Sequence, residues 1–212
     1  MCTGRVDIAF VLRAFSNGAD GVFIGGCWPG ECHYVTEGNY DALFNMHLCR
    51  MLLKHIGVNP ERLRLEWISA SEGMRYAEVM NDFGKVLKEL GPLGKGEGID
   101  QNTLDLKLDA LTKMVPYTKL VERERLRARF TNEEAYKSYF ASDEMKRLFT
   151  ALLADKLSVS QILMLLKVKP LTTVEISQTL SLNPSDVARH LKSSTRQGMV
   201  RYDQKLKCYA LA

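Results

Sequence analysis

The run Gly25-Gly26-Cys27-Trp28-Pro29-Gly30-Glu31-Cys32-His33-Tyr34 follows the apolar stretch Gly21-Val22-Phe23-Ile24. A short apolar run that closes on paired glycines reads as a buried strand feeding a loop. Two thiols on such a loop stand close together at a strand end with little bulk around them. Small neighbours let backbone N–H groups approach sulfur, which suits a metal or an iron–sulfur cluster. A third cysteine opens Cys2-Thr3-Gly4-Arg5-Val6-Asp7 just before a helical pattern, and is expected on the same sheet edge.

The first third of the chain alternates helix and strand signals. Asp7 to Phe15 has helical spacing and stops at Asn17-Gly18. Asp20 to Ile24 is a short strand, Asn39 to Ile56 a helix closed by Gly57, Leu63 to Ile68 a second strand, and Ser71 to Leu90 a helix ending before Gly91-Pro92. The order α-β-α-β-α predicts a parallel, helix-covered sheet. Residues 92–100 read as a glycine-rich linker. Helical, highly charged sequence follows, with Thr131-Asn132-Glu133-Glu134 as a capping box and Ser142-Asp143-Glu144 opening another helix.

Residues 157–212 follow a different pattern. Helices are expected over 158–166, 173–180 and 186–197, and a hairpin over Val200-Arg201-Tyr202 and Leu206-Lys207-Cys208-Tyr209. Three short helices and a two-stranded wing make a winged helix-turn-helix. The net charge of +4 gathers here: this segment carries 8 basic and 3 acidic side chains, whereas residues 1–95 carry 10 and 11. Such asymmetry suggests an anionic or acidic partner. Arg189, Lys192 and Arg196 are placed on one face of the third helix, opposite Val187, Ala188 and Leu191. With Arg201, Lys205 and Lys207 on the wing they form a candidate DNA surface, or a dock for a partner protein.

The chain is long enough, at 212 residues, for one or two domains. Five unevenly spaced cysteines do not form a secreted disulfide framework, the opening residues read as folded sequence rather than a leader, and no uninterrupted apolar run reaches membrane-spanning length. A reducing cytoplasm without membrane association is therefore expected. No glycine-rich phosphate loop, Ser-His-Asp spacing or paired-carboxylate site stands out. Cys49 reads as a small core hydrophobe and Trp67 as core.

The segments Cys2-Thr3-Gly4-Arg5-Val6-Asp7, Asp20-Gly21-Val22-Phe23, Gly26-Cys27, Pro29-Gly30, Cys32-His33-Tyr34 and Gly38-Asn39 carry a resemblance that extends through Arg62 to Gly73 and on to Leu90-Gly91-Pro92. Over about the first 92 residues the chain resembles the delta subunit of methyl-viologen-reducing hydrogenase. The resemblance implies a [2Fe–2S] cluster held by cysteines. It also implies an accessory electron-transfer role, without a substrate site, between a hydrogenase or formate dehydrogenase and the flavin subunit of heterodisulfide reductase. Cys2, Cys27 and Cys32 match its ligand pattern. Arg5 and His33 read either as donors to cluster sulfur or as a surface charge and a loop imidazole. Relatives carry an earlier strand and further cysteines upstream of Cys2, so the first strands are expected to be missing and the ligand set incomplete. The expected organisation is a partial α/β iron–sulfur domain over 1–95, a helical connector over 96–156 and a winged helix over 157–212. The rival reading is a redox-responsive winged-helix transcription regulator.

Overall fold

The structure, a computed structural model, describes residues 2–212. Helix α1 (Ile8–Ser16) begins where the Asp7 carboxylate accepts the Ala9 N–H, and stops at Gly18, whose φ of 86° a side chain would strain. Strand β1 (Val22–Gly26) pairs in parallel with β2 (Leu63–Trp67), Val22 opposite Leu63 and Gly26 opposite Trp67. Helix α2 (Gly38–His55) is the crossover between them. Among the described residues this sheet has two strands.

Strand alternation sorts the side chains. Val22, Ile24, Leu63, Leu65 and Trp67 face a core shared with α1 and α2. Phe23 faces the other way, onto Tyr76 and Phe83 of α3 (Gly73–Leu90), and Arg64 and Glu66 meet Asp82 and Arg75 of that helix. The two faces of the small sheet are thus covered by different helices.

The glycine-rich stretch after α3 is a tightly held crossing, not a loose tether. Arg62 is fully buried and donates to the carbonyls of Asp20, Leu90, Gly91 and Pro92 and to the Glu97 carboxylate. One guanidinium therefore ties together the entry to β1, the end of α3 and the turns that follow. Helix α4 (Gln101–Val121), capped by Asp100, then packs back across α1, and its Lys119 pairs with Asp7.

Helix α5 (Glu133–Ala141) is capped by Asn132, whose side chain accepts the Ala135 N–H, rather than by Thr131. Helix α6 (Asp143–Phe149), capped by Ser142, passes through a π turn at Thr150–Ala154 into α7 (Asp155–Val168). Asp143–Val168 is thus one helix, long and apolar enough by length and composition to cross a membrane. Scattered charges interrupt every apolar run in it, which hides this length in the sequence. Met145, Phe149, Leu153 and Leu157 lie in the first core, and Ile162 and Leu166 in the second.

The winged helix comprises α7, α8 (Thr173–Leu180), α9 (Pro184–Arg196), β3 (Val200–Asp203) and β4 (Cys208–Leu211). Thr172 and Glu175 form a reciprocal capping box on α8. The antiparallel strands pair Val200 with Leu211 and Asp203 with Cys208. The second wing strand lies two residues later than expected because the Asp203 carboxylate caps the turn, accepting the N–H groups of Lys205 and Leu206. The observed class is therefore a small parallel sheet with flanking helices, a helical region and a winged helix-turn-helix.

Candidate functional site

Three anchors shape the carboxyl end of the parallel strands. The Thr3 hydroxyl donates to the Gly25 carbonyl at 3.0 Å, fixing the N-terminal segment on the end of β1. The Asn39 amide donates to the Cys27 carbonyl at 2.6 Å, fixing the loop on the start of α2. The Trp28 indole donates to Glu72 at 2.6 Å, Glu72 also accepts the Ser69 N–H at 2.7 Å, and Arg75 lies 4.9 Å over the Trp28 ring. The loops after β1 and β2 are thereby clamped together. Sequence patterns do not reveal this clamp; its one signal is an indole N–H on a loop, a donor that needs a partner.

Within this frame the Cys2 and Cys32 sulfurs lie 3.6 Å apart. Gly38 makes the approach possible, since a Cβ there would sit 2.4 Å from the Cys32 sulfur and 2.7 Å from the Cys2 sulfur. Gly4 packs on the backbone of Gly38 in the same way, 2.6 Å from its carbonyl oxygen to a would-be Cβ. Cys32 is buried and Cys2 half-buried. Burial raises the Cys2 pKa, the Gly4 N–H acts against that rise, and the neighbouring Cys32 thiol adds to it. Beside the pair opens a cavity of about 600 Å³ rimmed by Arg5, Phe10, Tyr34, Glu37 and Asp41.

The other expected site residues fall differently. Cys27 is half-buried and held by its backbone, while its sulfur makes no contact with the pair among the described residues. His33 is exposed and packs edge-on against Tyr34, and neither it nor Arg5 donates to a cysteine among the described residues. Cys49 is buried in the core, its thiol pushed up to about 12 by desolvation. Phe10 is exposed, whereas Phe23 is covered by α3.

A tetrahedral thiolate centre with metal–sulfur bonds of about 2.3 Å separates its sulfurs by about 3.8 Å. Cys2 and Cys32 fit two corners of such a tetrahedron. A [2Fe–2S] cluster takes four protein ligands. Among the described residues no three His, Cys, Asp or Glu side chains converge to hold a metal, so the pair is half of such a set.

On the winged helix, the inward face of α9 is Val187, His190, Leu191 and Ser194. Ala188, expected among them, is exposed and lines the outer face with Ser185, Lys192 and Arg196. The reason is geometric: packing against α7 brings position 190 rather than 188 under the helix. Arg189 is turned toward α7, where Asp155 accepts from both terminal nitrogens at 3.0 Å. This pairing holds the Asp155 carboxyl below the ordinary range.

Residues 1–91 match the family described as methyl-viologen-reducing hydrogenase, delta subunit, and residues 158–202 match the bacterial regulatory protein, arsR family. The iron-sulfur subunit of the F420-non-reducing hydrogenase of Archaeoglobus profundus is 54% identical over 91 residues, 43% of this chain and 66% of that one. The vhu iron-sulfur subunit of the same type of hydrogenase in Methanopyrus kandleri is 36% identical over 92 residues, 69% of its length. One component of the ferredoxin/F(420)H(2)-dependent CoB-CoM heterodisulfide reductase of Methanosarcina acetivorans is 49% identical over 94 residues, which is 12% of that chain. The matched segment thus spans just under two thirds of the first of these hydrogenase proteins and about an eighth of the reductase component. The chain belongs, through its residues 1–91, to the methyl-viologen-reducing hydrogenase delta-subunit family, and behind that module it carries a winged helix of the arsR type.

Proposed function

We propose that this chain is a cytoplasmic accessory iron–sulfur protein that links a hydrogenase or formate dehydrogenase to the flavin subunit of heterodisulfide reductase, with no substrate site of its own. The observation that carries this reading is the shared module. A segment nearly half identical to this one forms part of a much longer heterodisulfide reductase chain in one relative, and most of a separate hydrogenase protein in another. A module covalently joined to one machine and free in another is suited to docking between the two. The functional segments are the cluster module (1–95), the helical connector (96–156) and the winged helix (157–212).

Cys2 and Cys32 would hold one metal atom of a [2Fe–2S] cluster, with Cys27 a third ligand from the same loop and the fourth supplied from outside the described residues. Such a cluster, when bound, passes single electrons. The chain's own residues do the rest. Gly38 admits the two sulfurs side by side, and Gly4 lets the N-terminal segment lie on the Gly38 backbone. Burial raises the Cys2 pKa, and the Gly4 N–H opposes that rise. Phe10, Tyr34 and Val35 present exposed apolar surface around the pair, to which a partner protein would dock.

The test is anaerobic reconstitution with iron and sulfide, followed by co-purification with a heterodisulfide reductase flavin subunit. Bound iron and sulfide that fall on Cys2→Ser and Cys32→Ser, together with a stable complex, are expected. A chain that retains no iron either alone or in the presence of that partner, and forms no complex, sinks the reading.

A second reading is favoured by the outer face of α9. Lys192 and Arg196 are exposed there without an acidic partner among the described residues, and the segment matches a regulatory family. In this reading the winged helix engages duplex DNA through α9 and the wing. Titrating the full chain into labelled duplex at several salt concentrations checks it. Binding lost on Lys192→Ala supports a DNA role, and an affinity indifferent to that change opposes it.

A further inference from the structure

Arg189, Lys192 and Arg196 stand three and four residues apart along α9, the spacing that aligns side chains on one helix face. Among the described residues, Lys192 and Arg196 have no acidic partner, whereas Arg189 is held. Asp155 presents both carboxylate oxygens to both terminal nitrogens of Arg189, each at 3.0 Å. That two-pronged fit is the one a guanidinium also makes with a phosphate. Asp155 belongs to α7, so the contact joins two helices of the winged helix.

The surroundings of Asp155 show why it stays where it is. Asp186 adds a contact to Arg189 at 3.3 Å. His190, buried on α9, brings its Nε2 to 3.6 Å from the same Asp155 oxygen. One turn further along α7, the Ser158 hydroxyl meets His55 Nε2 of α2 at 3.2 Å. The carboxylate is thus seated on a helix that packs into the body of the protein, while the arginine it holds stands at the edge of the basic face.

We propose that Asp155 is an internal stand-in for a DNA phosphate: it holds Arg189 in the free chain and yields it to the duplex backbone on binding. The inference rests on the DNA reading of the winged helix. The Asp155 and Arg189 side chains are 33% and 54% exposed. Both partners are open to solvent, and a phosphate offers the guanidinium the same two-pronged fit, so the exchange of carboxylate for phosphate costs little. The exchange leaves one carboxylate uncompensated at the edge of the interface, where it opposes the phosphates. Asp155 therefore sets the threshold at which nucleic acid is engaged, and any ligand or partner that takes up Asp155 would lower it.

The experiment is a fluorescence-anisotropy titration of the full chain with a labelled duplex across a salt series. It compares wild type with Asp155→Asn, Arg189→Ala, the double variant, Arg189→Lys and Lys192→Ala. Asp155→Asn should bind about tenfold tighter with an unchanged log–log salt slope, because the Arg189–phosphate contact forms in both complexes and the variant removes only the hold that competes with it. Arg189→Ala should lose its phosphate contact, flattening the wild-type salt slope by about one, and should abolish the gain in the Asp155→Asn background. Arg189→Lys keeps a point charge for phosphate while losing the two-pronged hold of Asp155, so it should bind at least as tightly as wild type; this variant carries the test if Asp155→Asn fails to fold. If Asp155→Asn matches wild type in affinity while Lys192→Ala weakens binding, the latch is overturned and the DNA reading stands. If neither wild type nor Asp155→Asn binds duplex at any salt, both fall together.

Discussion

The Arg62 guanidinium, fully buried, donates to Glu97 through Nε at 2.6 Å and through Nη2 at 3.2 Å. Its remaining hydrogens go to four backbone carbonyls. Removing one partner of such a pair leaves a buried charge uncompensated. Arg62→Met should cost about 3–5 kcal/mol of stability, read as a shifted midpoint in denaturant unfolding. A loss under about 1 kcal/mol would mean that the crossing is held by its glycine turns alone.

Glu97 also makes this pair sensitive to acid. Burial alone would raise its carboxyl pKa, but the bonds from Arg62 and from the N–H groups of Asn59 and Gly94 outweigh burial and hold it below the ordinary value. A depressed carboxyl contributes stability above the unfolded-state pKa, and that contribution is lost as pH falls through the folded value. Glu97→Gln should therefore be destabilised at neutral pH and show a flatter stability profile between pH about 5 and 3 than wild type. Parallel profiles for the two proteins would refute the assignment.

His47 works in a higher window. Burial, aided by the charge of Arg50, lowers its pKa from 6.5 to about 4. Its Nε2 is buried without a hydrogen-bond partner among the described residues, and its ring stacks on Phe140 with centroids 5.0 Å apart. The unfolded chain takes up this proton first, so stability should decline as pH drops from 6.5 toward about 4. His55 and His190, also lowered by burial, act in the same direction. His47→Leu should make the decline shallower over that interval, measured as the urea midpoint against pH.

Gly38 separates the cysteine site from the fold. Its backbone lies outside the left-handed region, so alanine strains nothing there except the sulfurs. Gly38→Ala should retain less than half the iron of reconstituted wild type while melting at nearly the same temperature. Equal iron retention would show that the sulfur pair does not bind metal.

Thiol reactivity should follow burial. Alkylation of the native, metal-free chain should label Cys2 and Cys27 before Cys49 and Cys208, both of which are buried, and Cys49 should react only on unfolding. Peptide mass spectrometry at increasing times checks the order. Labelling of Cys49 as fast as Cys27 would contradict the packing of α2.

The elements of this fold were legible because each depends on neighbours in sequence. Asp7 before an apolar helical run and Gly18 after it bound α1; alternation over 63–67 marks a strand; the helical spacing over 173–180 marks α8; the basic excess of the last quarter marks the winged helix. Local spacing also assigned Ala188 to the wrong face of α9 and placed the second wing strand early, because packing against α7 and the Asp203 turn are not encoded in periodicity. The tertiary structure alone decided three things. Cys32 meets Cys2 across 30 residues while Cys27 does not join them. Arg62 is a buried clasp rather than a surface charge. Arg189 is held by Asp155, 34 residues away, rather than standing free beside Lys192. Each is a contact between distant segments whose geometry is set by how helices and loops close on one another, and a side chain's type states what it can bind, not which partner the fold brings to it.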